Sequence, residues 1–385
     1  METVLGLAAL VAGGMALLRH AAGIGLLLRY VRRARVRTIP PGPTPPISLL
    51  KPLYGDEPGL EENLRATLRQ NYPEFEVLFL HERPDDPAVA VAQRVLREVP
   101  DVDARFVQGR APGFANPKAA VLARGAAEAR HGILAAADSD VRPDPLYLRD
   151  IANGLAEADL VSFVPVVFGT RGFWSRVAGL VVDTEGFLSL LLAGGQASTG
   201  ATIGVRREAL EAAGGFEAVG DAAADDYALG LAFRSKRLRL ALARRAARLH
   251  APPTGRRDTM RWAVRWARVV RTAAPGVYAL GLALSLVPLL LLAAALLSPY
   301  AGAAWTLLAA HTAARAVVAV AVDLRFCWDG SLVRSLHLLP LLWVLEPAGL
   351  LTGLLGSTVD WRGRRYRLRG GRATLVAPPP ETANP

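Results

Sequence analysis

One cysteine, Cys327, stands among 385 residues. That scarcity excludes an intramolecular disulfide framework and any cysteine-based zinc site, and it suits a reducing compartment. Glycine is plentiful, 36 in all, yet it is scattered, and neither standard spacing of a Gly-rich phosphate loop occurs. A diphosphate ligand would have to be gripped by other means, a cation above all. Acidic residues are the minority charge, 34 against 45 Lys+Arg, for a net charge of +11. Nucleic acid or an anionic membrane surface would suit such a surplus. With 52% hydrophobic residues the membrane is the better match, and no nucleic-acid partner is expected.

Long apolar runs divide the chain. Residues 3 to 28 are apolar apart from Arg19 and His20 and lead into the basic flank Arg29 to Arg37. A cleaved signal peptide carries its charges before the apolar stretch, so residues 1–38 read as an uncleaved anchor with its basic flank inside. Pro40-Pro-Gly-Pro-Thr-Pro-Pro46 is a stiff linker into a soluble part, residues 39–272. Gly276 to Leu297 and Ala301 to Val322 each approach the ~20 residues that span a bilayer, with Ser298-Pro299-Tyr300 as the turn of a transmembrane hairpin. In the unit 273–360 a third run, Leu336 to Gly356, is also long enough, but parity opposes a crossing. It would carry Arg362, Arg364, Arg365, Arg367, Arg369 and Arg372 of the basic tail 361–385 to the outside. Pro340, Glu346 and Pro347 interrupt this run, so a broken, re-entrant or interfacial segment covered by protein is expected.

Within the soluble part, strand-like and helix-like stretches alternate from Ile47 to Asp138. That alternation predicts right-handed βαβ units, a mostly parallel α/β sheet and a ligand site at the strand carboxyl ends. Gly132-Ile-Leu-Ala-Ala-Ala-Asp-Ser-Asp140 is the most informative stretch: an apolar strand delivers Asp138 and Asp140 at its carboxyl end. Two such carboxylates can hold Mg²⁺ or Mn²⁺ against substrate phosphates; an Asp-x-Asp of this kind can equally be a loop cap.

Asp225-Asp226-Tyr227 opens a helical pattern to Lys236, where a carboxylate serves as cap or as proton acceptor facing a cleft. Arg261, Arg265 and Arg268 share one helical face, with Trp262 and Trp266 beside it. They suit phosphate and sugar recognition, or a basic amphipathic helix on the bilayer. Trp174 to Leu192 is amphipathic, either dipping into the interface or packing as a core helix.

Eight motifs in one order carry a resemblance. Leu49-Leu-Lys-Pro-Leu53, Tyr72-Pro-Glu-Phe-Glu-Val77, Asp85-Asp-Pro-Ala88, Asn116-Pro-Lys118, Ala137-Asp-Ser-Asp140, Asp225-Asp-Tyr227, Arg265-Trp266 and Trp361 to Gly371 together resemble the ceramide glucosyltransferase family. That family includes bacterial hopanoid N-acetylglucosaminyltransferases. The resemblance implies a GT-A domain on the cytosolic face of a multi-pass protein of a bacterial inner or plasma membrane. It implies transfer, with inversion, from a UDP-sugar to a membrane-lipid hydroxyl. Asp138 and Asp140 then match the metal motif, Asp226 the base, and Arg265 and Trp266 the Arg-Trp signature. Asn116 and Lys118 match the donor pocket, and Ser198 to Thr202 a loop near the acceptor. At the family's first aspartate stands Arg83, so Glu82 or Asp85 takes that role or nucleotide recognition differs. Trp262 replaces the first position of the Arg-Trp signature, with Arg261 one residue early and Arg268 as a possible substitute. A processive polysaccharide synthase, for which the apolar segments look too few, and a non-catalytic membrane scaffold are the competing readings.

Overall fold

The computed structural model describes residues 1–34, 42–195, 198–251, 255–361 and 363–377. The start of the proline-rich linker and the end of the basic flank lie outside them. Helix α1 (Glu2–Ala34) joins the first apolar run and its basic flank without a break. Its buried residues are Gly6, Ala9, Gly13, Ala16, His20, Gly23, Leu27 and Tyr30, spaced alternately by three and four. That repeat makes one continuous stripe, and its small residues admit neighbouring helices closely.

The soluble part alternates as its apolar pattern predicts: β1 (Ile47–Pro52), α2 (Leu60–Leu68), β2 (Phe75–His81), α3 (Pro87–Leu96), β3 (Ala104–Gln108), α4 (Pro117–Glu128) and β4 (Ile133–Ala137). Then come β5 (Val141–Arg142), α5 (Tyr147–Leu155), β6 (Leu160–Ser162), β7 (Pro165–Phe168), α6 (Phe173–Val181) and α7 (Phe187–Ala193). A π turn at Val182–Gly186 joins the last two, so the stretch read as one amphipathic helix is two. β8 (Thr202–Arg206), α8 (Arg207–Ala212), α9 (Asp225–Ser235), β9 (Leu240–Leu242) and β10 (Ala247–His250) complete it. The main sheet has the order β3-β2-β1-β4-β8-β6-β9, with β8 antiparallel to both neighbours and the remaining pairings parallel. β5, β10 and β7 form a second, small sheet. β1 and β4 are buried along their whole length, as strands covered on both faces must be.

α10 (Arg256–Ala273) leads into α11 (Pro275–Leu297), α12 (Ala301–Val322) and α13 (Leu339–Leu354). Among the described residues four helices are long and apolar enough to cross a membrane: α1, α11, Ala301–Cys327 and Val333–Leu354. Ala9 and Ala16 of α1 pack on Leu291 and Ala294 of α11 and on Ala304 and Leu308 of α12, which makes a three-helix bundle. In α13 the expected break is absent. The helix runs through Pro347, and Pro340 falls in its first turn, where a missing N–H leaves no gap. Leu339 and Leu342 pack near Leu27, Val318, Val322 and Phe326, while Gly353 faces Ala267 at the other end. Both ends of α13 therefore lie where α11 begins and α12 ends. Glu346 is covered by protein, accepting hydrogen bonds from Arg315 at 2.6 and 2.9 Å.

The residues read as a basic tail instead form a third sheet: β11 (Thr358–Trp361), β12 (Arg364–Arg369) and β13 (Arg372–Ala377), all antiparallel. Tyr366 and Leu368 bury their side chains beside Ala223 and Val269, while the arginines alternate outward as the two-residue strand period requires. Arg362 and residues beyond 377 lie outside the description.

Candidate active site

β4 ends at Ala137, and the chain turns through Asp138-Ser139-Asp140 before β5. Every carbonyl of that turn is taken from within. Lys51 Nζ donates to the oxygens of Asp138 and Val141, Asn63 Nδ2 to Ser139 (3.1 Å), and the His250 amide to Asp140 (3.0 Å). With the backbone fixed inward, Asp138 alone of the pair lines a cavity at the sheet edge, and Asp140 lies near Lys51 and Glu57. Burial and the carboxylates of Asp138 and Glu57 push Asp140 up to about 7, and its buried Oδ1 has no hydrogen-bond partner. Burial lowers Lys51 to about 8 against the opposing pull of Asp140, Asp138 and Glu57.

Helix α4 opens with Asn116 as its cap and Pro117 in the first turn. Asn116 Oδ1 accepts from the amides of Lys118 (2.9 Å) and Ala119 (3.1 Å), and its Nδ2 donates to Ala222 O (3.0 Å). Asn116 is thus spent on positioning; it does not line the cavity expected of a donor-pocket residue. What it positions is Lys118. The ammonium lies 2.7 Å from Asp138 Oδ1, 2.7 Å from Gly200 O and 3.9 Å from Asp225 Oδ2. Burial alone would lower its proton affinity, but Asp138, Asp225 and Asp226 outweigh that and hold it well above the ordinary lysine value.

Asp225 and Asp226 begin α9, where the helix dipole favours negative charge. The cap position is Ala224, so neither carboxylate occupies the cap that this helix start offered as one of its two roles. Both carboxylates line one cavity with Lys118, Asp138, Ser198, Thr199 and Gly200. Their separation around the helix does not divide them, because the cavity spans the first turn. Asp226 Oδ1 accepts from the Tyr227 amide (2.8 Å), and burial together with Asp225 raises Asp226 to about 6. A Cβ on Gly200 would come within 3.1 Å of Asp226 Oδ2, so a larger residue there would press on the carboxylate.

Other expected residues stand apart. Asp85 is exposed and paired with Arg83, outside the cavity. Glu82, the other candidate for that role, meets Arg364 of β12 at 2.8 Å and Arg110 at 3.9 Å. Arg265 is half-buried and Trp266 is 55% exposed on α10, and neither lines the cavity. Arg268, considered as a phosphate partner, donates to the carbonyls of Thr358 (2.7 Å) and Leu355 (2.6 Å), stapling α10 to the end of α13. Lys51 and Glu57 were missed as site components. Lys51 stood in the motif Leu49-Leu-Lys-Pro-Leu53 without a site role, and a lysine among the leucines of a strand was its signal.

Carboxylates gathered at the carboxyl edge of a mostly parallel sheet, below apolar helices, define a membrane-attached domain of the GT-A glycosyltransferase fold. The model of glycosyl transferase family 21 matches residues 6–374, and the chain belongs to that family. It is 24% identical over 216 residues to ceramide glucosyltransferase 1 of Caenorhabditis elegans, covering 53% of this chain and 45% of that protein. It is 34% identical over 107 residues to the ceramide glucosyltransferase of Komagataella phaffii, covering 26% of this chain and 21% of the relative. The chain thus spans less than half the length of these curated relatives. Among solved structures, the mannosyltransferase PcManGT from Pyrobaculum calidifontis, in complex with GDP-Man and Mn²⁺, superposes with a TM-score of 0.51 at 20% identity, over 89% of this chain and 98% of that one. That likeness supports the fold.

Proposed function

We propose that this chain is an inverting lipid glycosyltransferase, moving glucose or N-acetylglucosamine from a UDP-sugar to a hydroxyl of a ceramide- or hopanoid-type membrane lipid. The observation that carries it is the meeting of Asp138, Asp225, Asp226 and Lys118 on one cavity in a family 21 chain whose described residues include four helices long and apolar enough to cross a membrane. Asp226 is the base. A lipid hydroxyl is a poor nucleophile near neutral pH, and a buried carboxylate raised to about 6 is ionised at pH 7 yet basic enough to take its proton. As that proton moves to Asp226, the hydroxyl oxygen bonds the anomeric carbon from the face opposite UDP. The bond from that carbon to the diphosphate oxygen breaks, and its electron pair leaves with UDP. Arg265 and Trp266 are assigned to the departing diphosphate and the sugar by the family motif, and Glu82 by its place at the end of β2 to the nucleotide.

A divalent cation fits the turn after β4. Asp140 holds a buried oxygen without a partner, and Asp138 stands on the cavity beside it. Among the described residues no group of three or more His, Cys, Asp or Glu side chains is placed to hold a metal ion, so these two carboxylates would leave positions for phosphate oxygens and water. Mg²⁺ or Mn²⁺ held there would offset charge on the leaving diphosphate.

The basic flank of α1 puts the domain on the cytosolic side, with α1, α11 and α12 crossing and α13 interfacial. Mass spectrometry of membrane lipids from cells with and without the protein tests the function. A hexosyl or N-acetylhexosaminyl lipid present only with the protein supports it. No such lipid, together with no UDP binding by calorimetry in the presence of Mn²⁺, would leave a membrane scaffold.

A further inference from the structure

On the small sheet, outside the carboxylate cavity, two guanidinium groups and an imidazole crowd around Phe168. Arg142 and Arg248 are register partners on β5 and β10, and His250 lies two residues beyond Arg248, so all three share one face. The guanidinium carbons lie 5.0 Å (Arg142) and 4.3 Å (Arg248) from the Phe168 centroid, and the His250 ring meets the same phenyl edge-on at 5.3 Å. Arg248 also stacks on Trp328, 4.7 Å from its ring centroid. Gly59 permits the crowding: its φ is +75°, and a Cβ there would come within 3.1 Å of the His250 ring and 3.3 Å of the Arg142 guanidinium.

The positive charge is only partly answered. Arg142 donates its Nε to Asn63 Oδ1 (3.0 Å) and stands 3.8 Å from Glu62, whose side chain is 58% exposed. Arg248 donates to a backbone oxygen, that of Cys327 (3.0 Å). Asp329, the next carboxylate, accepts from the amides of Gly169 and Ser331. The buried Nε of Arg248 and Nδ1 of His250 have no hydrogen-bond partner. An anion would relieve that crowding.

The cluster also lies beside the end of a candidate span. Trp328 is 59% exposed directly after the candidate span Ala301–Cys327, and Phe173 is 45% exposed at the start of α6. Exposed aromatic rings at the end of a span mark the boundary between water and hydrocarbon. We infer that Arg142, Arg248 and His250 form a binding site for the phosphate of a membrane phospholipid. The guanidinium forks and the free ring nitrogen supply donors to the phosphate oxygens, and Trp328 lies against the glycerol end. The inference goes beyond glycosyl transfer and stands without it. Its consequence reaches the active site all the same, because the His250 amide holds the Asp140 carbonyl. A phosphate bound here ties the turn after β4 to the bilayer.

The test is calorimetry on the full chain in neutral detergent, titrating dioctanoyl phosphatidic acid, dioctanoylglycerol and inorganic phosphate, with UDP binding measured on the same samples. Phosphatidic acid should bind at one saturable site at least tenfold more tightly than either of the others. Arg142→Gln and Arg248→Gln should each weaken it at least tenfold while leaving UDP affinity unchanged. Arg248→Lys, which keeps the charge but loses the fork and most of the stacking, should fall between. Equal affinity for dioctanoylglycerol overturns the site, and so does undiminished binding by folded Gln variants. Inorganic phosphate binding as tightly as the lipid overturns the lipid source. Loss of UDP binding in the unsubstituted chain would count against the donor site alone.

Discussion

In the helix bundle, Glu346 accepts two hydrogen bonds from Arg315, and Glu185 accepts one each from Arg19 and His20 at 2.7 Å. At the sheet edge, Asp140 keeps a buried oxygen with no partner, and in the cavity beside it Asp225 and Asp226 share Lys118 with Asp138. Both regions bury ionised groups, but only in the first are both oxygens of each carboxylate met by cationic donors, although Arg315 Nε keeps no hydrogen-bond partner. A network so paired in an apolar setting fixes helices to one another. An incomplete one at the carboxyl ends of strands is a place for a ligand. The contrast can be broken at either end.

The largest effect is expected at Asp226. Asp226→Asn should lower turnover of UDP-sugar roughly 10²- to 10⁴-fold with donor affinity preserved, as loss of a general base does. Asp225→Asn should also lose activity, though less, because its carboxylate lines the same cavity and faces Lys118. Steady-state rates paired with UDP calorimetry check both. Full activity in Asp226→Asn would move the base elsewhere.

In the bundle the expected loss is of stability. Arg315 and Glu346 have side chains only 2% and 12% exposed, so removing one partner leaves a buried charge alone. Arg315→Met should destabilise the protein by about 3–5 kcal/mol, and Arg315→Met with Glu346→Leu should recover most of that. Thermal unfolding in one detergent separates the cases. A double variant no better than the single would show that the pair does more than hold helices.

A smaller effect follows from pH. The folded values of Asp140 and Asp226 lie above their unfolded value near 4, so the folded chain binds more protons between the two. Their contribution to stability is complete below about pH 4 and is lost as pH rises through 6 to 7. Without divalent cation, the melting temperature should therefore decline from pH 5 to 8 on account of these two groups. Mn²⁺ should flatten the decline, since a cation beside Asp140 lowers its proton affinity. Melting curves at several pH values with MnCl₂ or EDTA decide it; a slope indifferent to Mn²⁺ would detach the cation from this turn.

The sequence disclosed what local chemistry dictates and hid what distant segments complete. The strands and helices from Ile47 to Asp138 are legible because apolar runs, turn residues and the Asn116-Pro117 start signal act over a few residues. Asp138 and Asp226 are legible by position at a strand end and a helix start. That Lys118 joins them is not, since residues 118, 138 and 225 meet only once the sheet is formed. Asn116 matches a donor-pocket motif by resemblance, while its bonds to the Lys118 and Ala119 amides and to Ala222 O, which make it the cap of α4, show only in the folded chain. The third sheet was hidden for another reason: its arginines dominate the composition, while Tyr366 and Leu368, the residues that fold it, are few.

The smallest effects are expected at the end of β2, where two carboxylates compete for one role. Asp85 lies in the open against Arg83, with side chains 62% and 73% exposed, and water screens such a pair. Glu82 is three-quarters buried and is held by Arg364, reaching across from the sheet that also pairs with the chain just before Asp225. If the nucleotide meets a carboxylate here, the fixed one is suited to it, because a side chain already held in place loses less freedom on binding. Asp85→Asn should therefore leave both melting temperature and UDP affinity unchanged, whereas Glu82→Gln should weaken UDP binding, and Arg364→Ala should do so to a lesser degree. Calorimetry with UDP and Mn²⁺ on the three variants ranks them. Weakened binding in Asp85→Asn with Glu82→Gln unaffected would return the nucleotide contact to Asp85 and leave the Arg364 bridge a purely structural link between the third sheet and the domain.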